Sequence, residues 1–159
     1  MSLIANGVGW VLILLFATLL GSHLFDTAVL VPSWSAKPPE SVHEWAANPT
    51  SGKVVAHFRR LLPALLAASL VGLLSAFFLD TPARIWLLFA SLCGIAHTSL
   101  ITFFFIPTNR ALGMLPSDAG MSPIEAAVCE RLVKGWLRWN SVRIGCDLIG
   151  LIAAVHATT

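Results

Sequence analysis

Near the C-terminus, a largely apolar stretch is interrupted by Trp136, Asn140, Arg143 and Asp147. Their spacing is i, i+4, i+7 and i+11, so on an α-helix all four share one face. The adjoining run, Leu148 to Val155, carries no charge. Such a helix enters a bilayer with indole, amide, guanidinium and carboxylate aligned along one side. A charged side chain at the bilayer centre costs roughly 2.5–3.5 kcal/mol even on the mildest scales. Arg143 and Asp147 must therefore face protein, water or each other, and the remaining helices have to pack around them.

The rest of the chain supplies those helices. It is 57% hydrophobic and only 11% charged, where a water-soluble domain carries about 25% charged residues. This is the composition of an integral membrane protein, and residues 1–159 read as a single four-span domain. The net charge of +2 is too small to suggest nucleic acid, and no basic stripe with interleaved aromatics is present. Cys93, Cys129 and Cys146 form no C-x-x-C pair, which disfavours a thiol–disulfide oxidoreductase and leaves three small buried apolar side chains. The first apolar run has no Lys or Arg before Lys37 and extends from Val8 to Val31, so it reads as a retained span rather than a cleaved leader.

Four spans are expected. The first covers about residues 7–31, between Trp10 and Trp34 as interfacial aromatics, and ends at Pro32. The second covers about 54–79, with His57, Arg59 and Arg60 in its first turns as snorkelling cations. The turn Asp80-Thr81-Pro82 leads to a third span over about 83–106, stopped by Pro107. Its Thr98, Thr102, Phe105 and Asn109 repeat the helical spacing of one face. A polar loop from about 108 to 122, with Ser117 and Asp118, precedes the last helix. Ser122-Pro123-Ile124-Glu125 reads as its N-cap, first-position proline and first-turn acid. In the first loop, 32–53, the piece around Val42 and Trp45 reads as a short interfacial helix. The fold class is thus all-α: an up-down four-helix transmembrane bundle with a long last helix extending beyond the membrane. The small residues of the second span suit close helix contact, and the chain is compatible with an oligomer. Lys37, Lys53, Arg59, Arg60, Arg110, Arg131, Lys134 and Arg138 fall on the loop side, and only Arg84 on the side of the termini. The positive-inside rule then places the termini outside the cytoplasm.

The polar residues gather at one depth. Asn109, Trp136, Trp139, Asn140, His57 and Asp26 lie near the loop-side membrane edge, with Arg143, Thr102, His23, His97 and Asp147 deeper. This describes a pocket with a polar floor, open to the loop side. The alternative is a structural network in which Arg143 pairs with Asp26 or Asp147. His23 and His97 lie on parallel spans at similar depth. Two facing imidazoles make a candidate site for haem or a metal ion, with His57 as a third partner. No fixed ligand spacing accompanies them, so the cofactor is left open, including none at all.

Two segments carry a family resemblance. Thr102 with Pro107-Thr108-Asn109-Arg110-Ala111-Leu112, and then Trp136-Leu137-Arg138-Trp139-Asn140-Ser141-Val142-Arg143, match T…P-x-N-x-x-L and W-x-x-W-N-x-x-R. In these the chain resembles the anthrone oxygenase-like family of small four-span membrane proteins. His23, His57 and His97 belong to none of its motifs. The resemblance implies oxidation of a polyketide anthrone to an anthraquinone by dioxygen without an added cofactor. A site for that reaction needs a base for an acidic methylene, donors for the oxyanion, and a dry aromatic slot. The residues expected in those roles are His97 or His23 as base, Arg143 with Asn109 and Asn140 as donors, and Trp136 and Trp139 as stacking surfaces, with Thr102 at the wall. The expectation is therefore an oxygenase-like monooxygenase that takes a small hydrophobic, aromatic molecule from the bilayer or the loop side. The competing expectations are a haem- or metal-binding subunit and a non-catalytic binder.

Overall fold

A computed structural model of the chain describes residues 3–80, 82–116 and 120–159; the turn residue Thr81 and the loop residues Ser117 and Asp118 lie outside the described residues. Among the described residues every regular element is helical. The first span is α1 (Leu3–Phe25), a π turn (Asp26–Leu30) and α2 (Val31–Ser35). A short α3 (Glu40–Ala47) leads to the second span, α4 (Pro49–Ala76). The third is α5 (Ala83–Leu100), a second π turn (Ile101–Phe105) and α6 (Ile106–Gly113), and α7 (Pro123–Thr158) completes the bundle. All four long runs have the length and hydropathy to cross a membrane. The chain is an integral membrane protein, an up-and-down four-helix bundle.

The bundle closes as a ring: α1 packs on α4, α4 on α5, α5 on α7, and α7 back on α1. Its apolar core is built from Leu12, Phe16 and Leu19 of α1, Leu65 of α4, Leu87 of α5 and Ala153 and Ala154 of α7. Leu14, Phe78, Phe89 and Ile152 are among the large side chains left on the outside, where hydrocarbon rather than water is their solvent. Inside a bilayer the drive for helices to associate is close packing, so small residues mark the contacts. A side chain on Gly72 would meet Ser91, one on Gly94 would meet Ser69, and one on Gly150 would strike the Phe16 ring. The first two contacts are reciprocal and draw α4 against α5.

Three expected boundaries are corrected. Pro32 and Pro107 do not end their helices, which continue to Ser35 and Gly113. Proline lacks an N–H, and its ring collides with the carbonyl four residues back. Those carbonyls, of Ala28 and Phe103, lie within the two π turns. The wider turns, with Val31 N–H bonded to the Asp26 carbonyl and Ile106 N–H to that of Ile101, let the helix pass the proline. The second span begins at Pro49 rather than Val54, because Asn48 caps it: its Oδ1 accepts from Thr50 N–H at 2.9 Å. Trp34 is not an outward interfacial anchor. It is buried, edge-on to Trp136 with ring centroids 4.8 Å apart. The expected α7 start is present as a full capping box between Ser122 and Glu125. The segment around Val42 and Trp45 is the helix α3, tied to α2 by Ser41 Oγ donating to the Trp34 carbonyl at 2.8 Å.

Candidate functional site

The helical face that carries Trp136, Asn140, Arg143 and Asp147 turns inward, and all four residues are buried. They meet partners from the first and third spans in two layers.

The deeper layer lies at the centre of the bundle. His23 of α1 and His97 of α5 are fully buried, their rings 5.3 Å apart between centroids and 23° from parallel. Asp147, equally buried, bridges them: Oδ2 is 2.6 Å from His23 Nδ1 and Oδ1 is 2.7 Å from His97 Nδ1. Phe58 of α4 stacks on the other face of His23, 4.8 Å away. Neither Nε2 has a hydrogen-bond partner. The structure brings the two imidazoles together, but the third member of the group is not His57. That residue is exposed, with Nε2 3.0 Å from Ser22 Oγ, and the third member is Asp147. A haem does not fit between His23 and His97, because rings stacked at this distance leave no slot for a macrocycle.

The upper layer surrounds Arg143, which is 4% exposed. Its Nη2 donates to Asn140 Oδ1 and lies 3.6 Å from Asp26 Oδ2. The guanidinium carbon stands 4.5 Å from the Phe105 ring centre, 5.5 Å from that of Trp136 and 5.8 Å from that of Phe58, a cation enclosed by aromatic faces. Asn140 spends its other end on Thr27, Nδ2 donating to Oγ1 at 2.8 Å. Asp26 and Thr27 are consecutive in the first π turn, so that turn delivers two partners to one strip. Trp136 Nε1 donates to Asn109 Oδ1 at 3.0 Å, which leaves the Asn109 Nδ2 as a donor.

Arg143, Asp26, Asn109, Phe58, Trp34 and Trp136 line a pocket of about 320 Å³ at the loop end, covered by Val42 and Trp45 of α3. Its size falls within the range of small-molecule sites, roughly 300–1,000 Å³. A second opening lies on the flank between the first and second spans and shares Asp26, Val54 and Phe58 with it.

The expected site residues therefore separate. Arg143, Asn109 and Trp136 meet at the pocket. Asn140 is committed at both ends and holds Arg143 in place. Trp139 is exposed and packs on Phe104, 5.5 Å between centroids. Thr102 is also exposed, with its hydroxyl donating to the Thr98 carbonyl at 2.9 Å. The buried positions of this span run Leu87, Ala90, Gly94, His97, Ile101 and Phe105, so the inward face passes through His97 and Ile101 and leaves Thr98 and Thr102 one residue to its side. His23 lies behind Phe58. Sequence reasoning places Asp26 at the pocket edge and as a partner for Arg143 but gives it no role in the site, although a carboxylate in an apolar span is itself a signal. Phe58 has no sequence mark beyond being aromatic, and Trp34 and Trp45 read there only as interfacial residues.

The family model for anthrone oxygenase matches residues 52–153. The chain belongs to the anthrone oxygenase family. No curated protein and no solved structure matches it. The matched segment holds Phe58, His97, Asn109, Trp136, Asn140, Arg143 and Asp147, whereas His23 and Asp26 come from the first span, ahead of it.

Proposed function

We propose that this anthrone oxygenase family member binds a small, flat, hydrophobic carbon acid in the loop-end pocket and oxidises it with dioxygen. The observation that carries the reading is Arg143, a guanidinium enclosed by aromatic rings at the wall of an apolar cavity. A cation in such a place attracts an oxygen whose charge grows during reaction and is worth more there than in water. Asp26 faces the same cavity and is the base within reach of it, in place of the histidines below. In the proposed reaction Asp26 takes a proton from the ring methylene. The carbanion delocalises onto the ketone oxygen, which Arg143 and the Asn109 amide hold. Dioxygen accepts the carbon's electrons to form a hydroperoxide at that carbon, and loss of water leaves a carbonyl: one methylene and one O2 give one carbonyl and one water. Trp34 and Trp136 form the walls for a planar ring.

The test is turnover of unsubstituted anthrone by purified protein, followed by oxygen uptake and anthraquinone absorbance. Arg143→Met and Asp26→Asn are expected to lower the rate at least about 100-fold, with helical content and monodispersity retained. Wild-type protein that neither binds anthrone nor changes its tryptophan emission on addition overturns the proposal.

The orientation with termini outside the cytoplasm is part of this reading. It rests on the loop-side cations set against Arg84, and it makes the pocket mouth cytoplasmic. A C-terminal reporter that is active only on the outer side checks it.

A further inference from the structure

We infer that His23, His97 and Asp147 form a binding site for a divalent first-row transition metal, with ferrous iron as the ion that the ligand set suits best. Two imidazoles and one carboxylate make the facial set of non-haem iron centres, which leaves coordination positions open. One ligand atom from each residue lies within 4.8 Å of the other two. Ligands about 2.1 Å from a common ion lie at most about 4.2 Å apart, so a small turn of the rings closes the set.

His23 Nδ1 is hydrogen-bonded to Asp147 Oδ2, and the room for an ion lies on the His97 side. His97 is fully buried, yet neither of its ring nitrogens makes a hydrogen bond, and neither does Asp147 Oδ1. His97 Nδ1 and that oxygen are nonetheless 2.7 Å apart. A proton shared between them must lie near the N···O line. An ion lies off that line: at about 2.1 Å from both atoms it subtends about 80°, near the right angle of an octahedral centre. A nitrogen and an oxygen this close, with the oxygen off the hydrogen-bond line, match two neighbouring ligands of one ion. Charge points the same way. Arg143 is paired with Asp26, and among the described residues the ion-pair contacts of Asp147 are with the two imidazoles alone. The layer thus holds a fixed anion and nitrogen lone pairs in a place where bare charge is costly. It lies one ring below the pocket, because Phe58 both lines that cavity and stacks on His23. The inference rests on the ligand atoms alone and does not depend on which substrate the pocket takes.

The test uses full-length protein in detergent, stripped with a chelator and titrated anaerobically with cobalt(II) as a spectroscopic stand-in, then with iron(II). About one ion per chain is expected by elemental analysis, with visible d–d bands from cobalt. His97→Gln and Asp147→Asn are expected to weaken binding by about 100-fold or more, while Arg143→Met, one layer up, retains about one ion per chain. Should either ligand variant fail to fold, the wild-type titration decides alone. Folded wild-type protein with no cobalt bands and under about 0.1 ion per chain overturns the inference. So does binding that survives both ligand substitutions. Loss of anthrone turnover in Arg143→Met with cobalt binding intact bears on the pocket, not on this site.

Discussion

At the scale of single residues, Arg143 is a buried cation held by Asp26 and Asn140. A buried ion pair contributes little net stability, but removing one partner strands the other and costs about 3–5 kcal/mol. Asp26→Asn and Arg143→Met are each expected to destabilise by about 3 kcal/mol. The double variant should cost at least about 1 kcal/mol less than their sum. Unfolding of the four proteins in mixed micelles measures this cycle, and strict additivity would show that the 3.6 Å approach of Nη2 to Oδ2 carries no coupling. Asn140→Ala should act through Arg143: it frees the guanidinium and also strands Thr27, so affinity for a flat ligand falls about 10-fold while the bundle stays folded. Calorimetric titration with anthrone checks this. The inward strip is legible in the sequence because its four members repeat at helical spacing and its charges have no place in lipid. The partner of each member is not legible, since spacing along one helix carries no information about what stands opposite. Sequence spacing offers Asp147 to Arg143, whereas in the folded bundle it serves two imidazoles.

At the scale of elements, the four spans can be read from their apolar length, and the start of α7 from its cap. The two π turns cannot. Each lies just before a proline, which sequence reasoning treats as a stop. In a bilayer, where every freed backbone group must find a partner, the helix widens and continues instead. In the first span the buried positions run Leu12, Phe16, Leu19, His23 and Asp26 at ordinary helical spacing and resume at Val31 and Trp34, so the extra residue shifts the face only beyond Asp26. Pro107→Ala restores the missing N–H and removes the reason for the wider turn. The expected result is equal or higher thermal stability with a loss of ligand affinity, because Phe105 and Asn109 rotate away from Trp136 and Arg143. A variant that binds as well as the wild type would show that the turn has a different origin. The α1–α7 contact is equally specific. Gly150→Val forces a side chain against Phe16 and should cost about 1–3 kcal/mol, read from the unfolding midpoint in detergent. A Cβ on Gly145 meets nothing within 4 Å, so Gly145→Ala serves as the control.

At the scale of the whole molecule, the bundle is a ring of four antiparallel helices whose diagonal is filled by polar groups at one end and by Phe16, Leu12 and Leu87 at the other. The pocket occupies the end where α3 covers the gap, and the flank opening between the first and second spans reaches the same Asp26 and Phe58. For an oily ligand, that side window makes the lipid phase a reservoir. Occupancy then follows the mole fraction of ligand dissolved among the acyl chains rather than its concentration in buffer. Adding empty vesicles at fixed total ligand and protein should dilute the site and slow turnover in proportion, although nothing in the aqueous phase has become limiting.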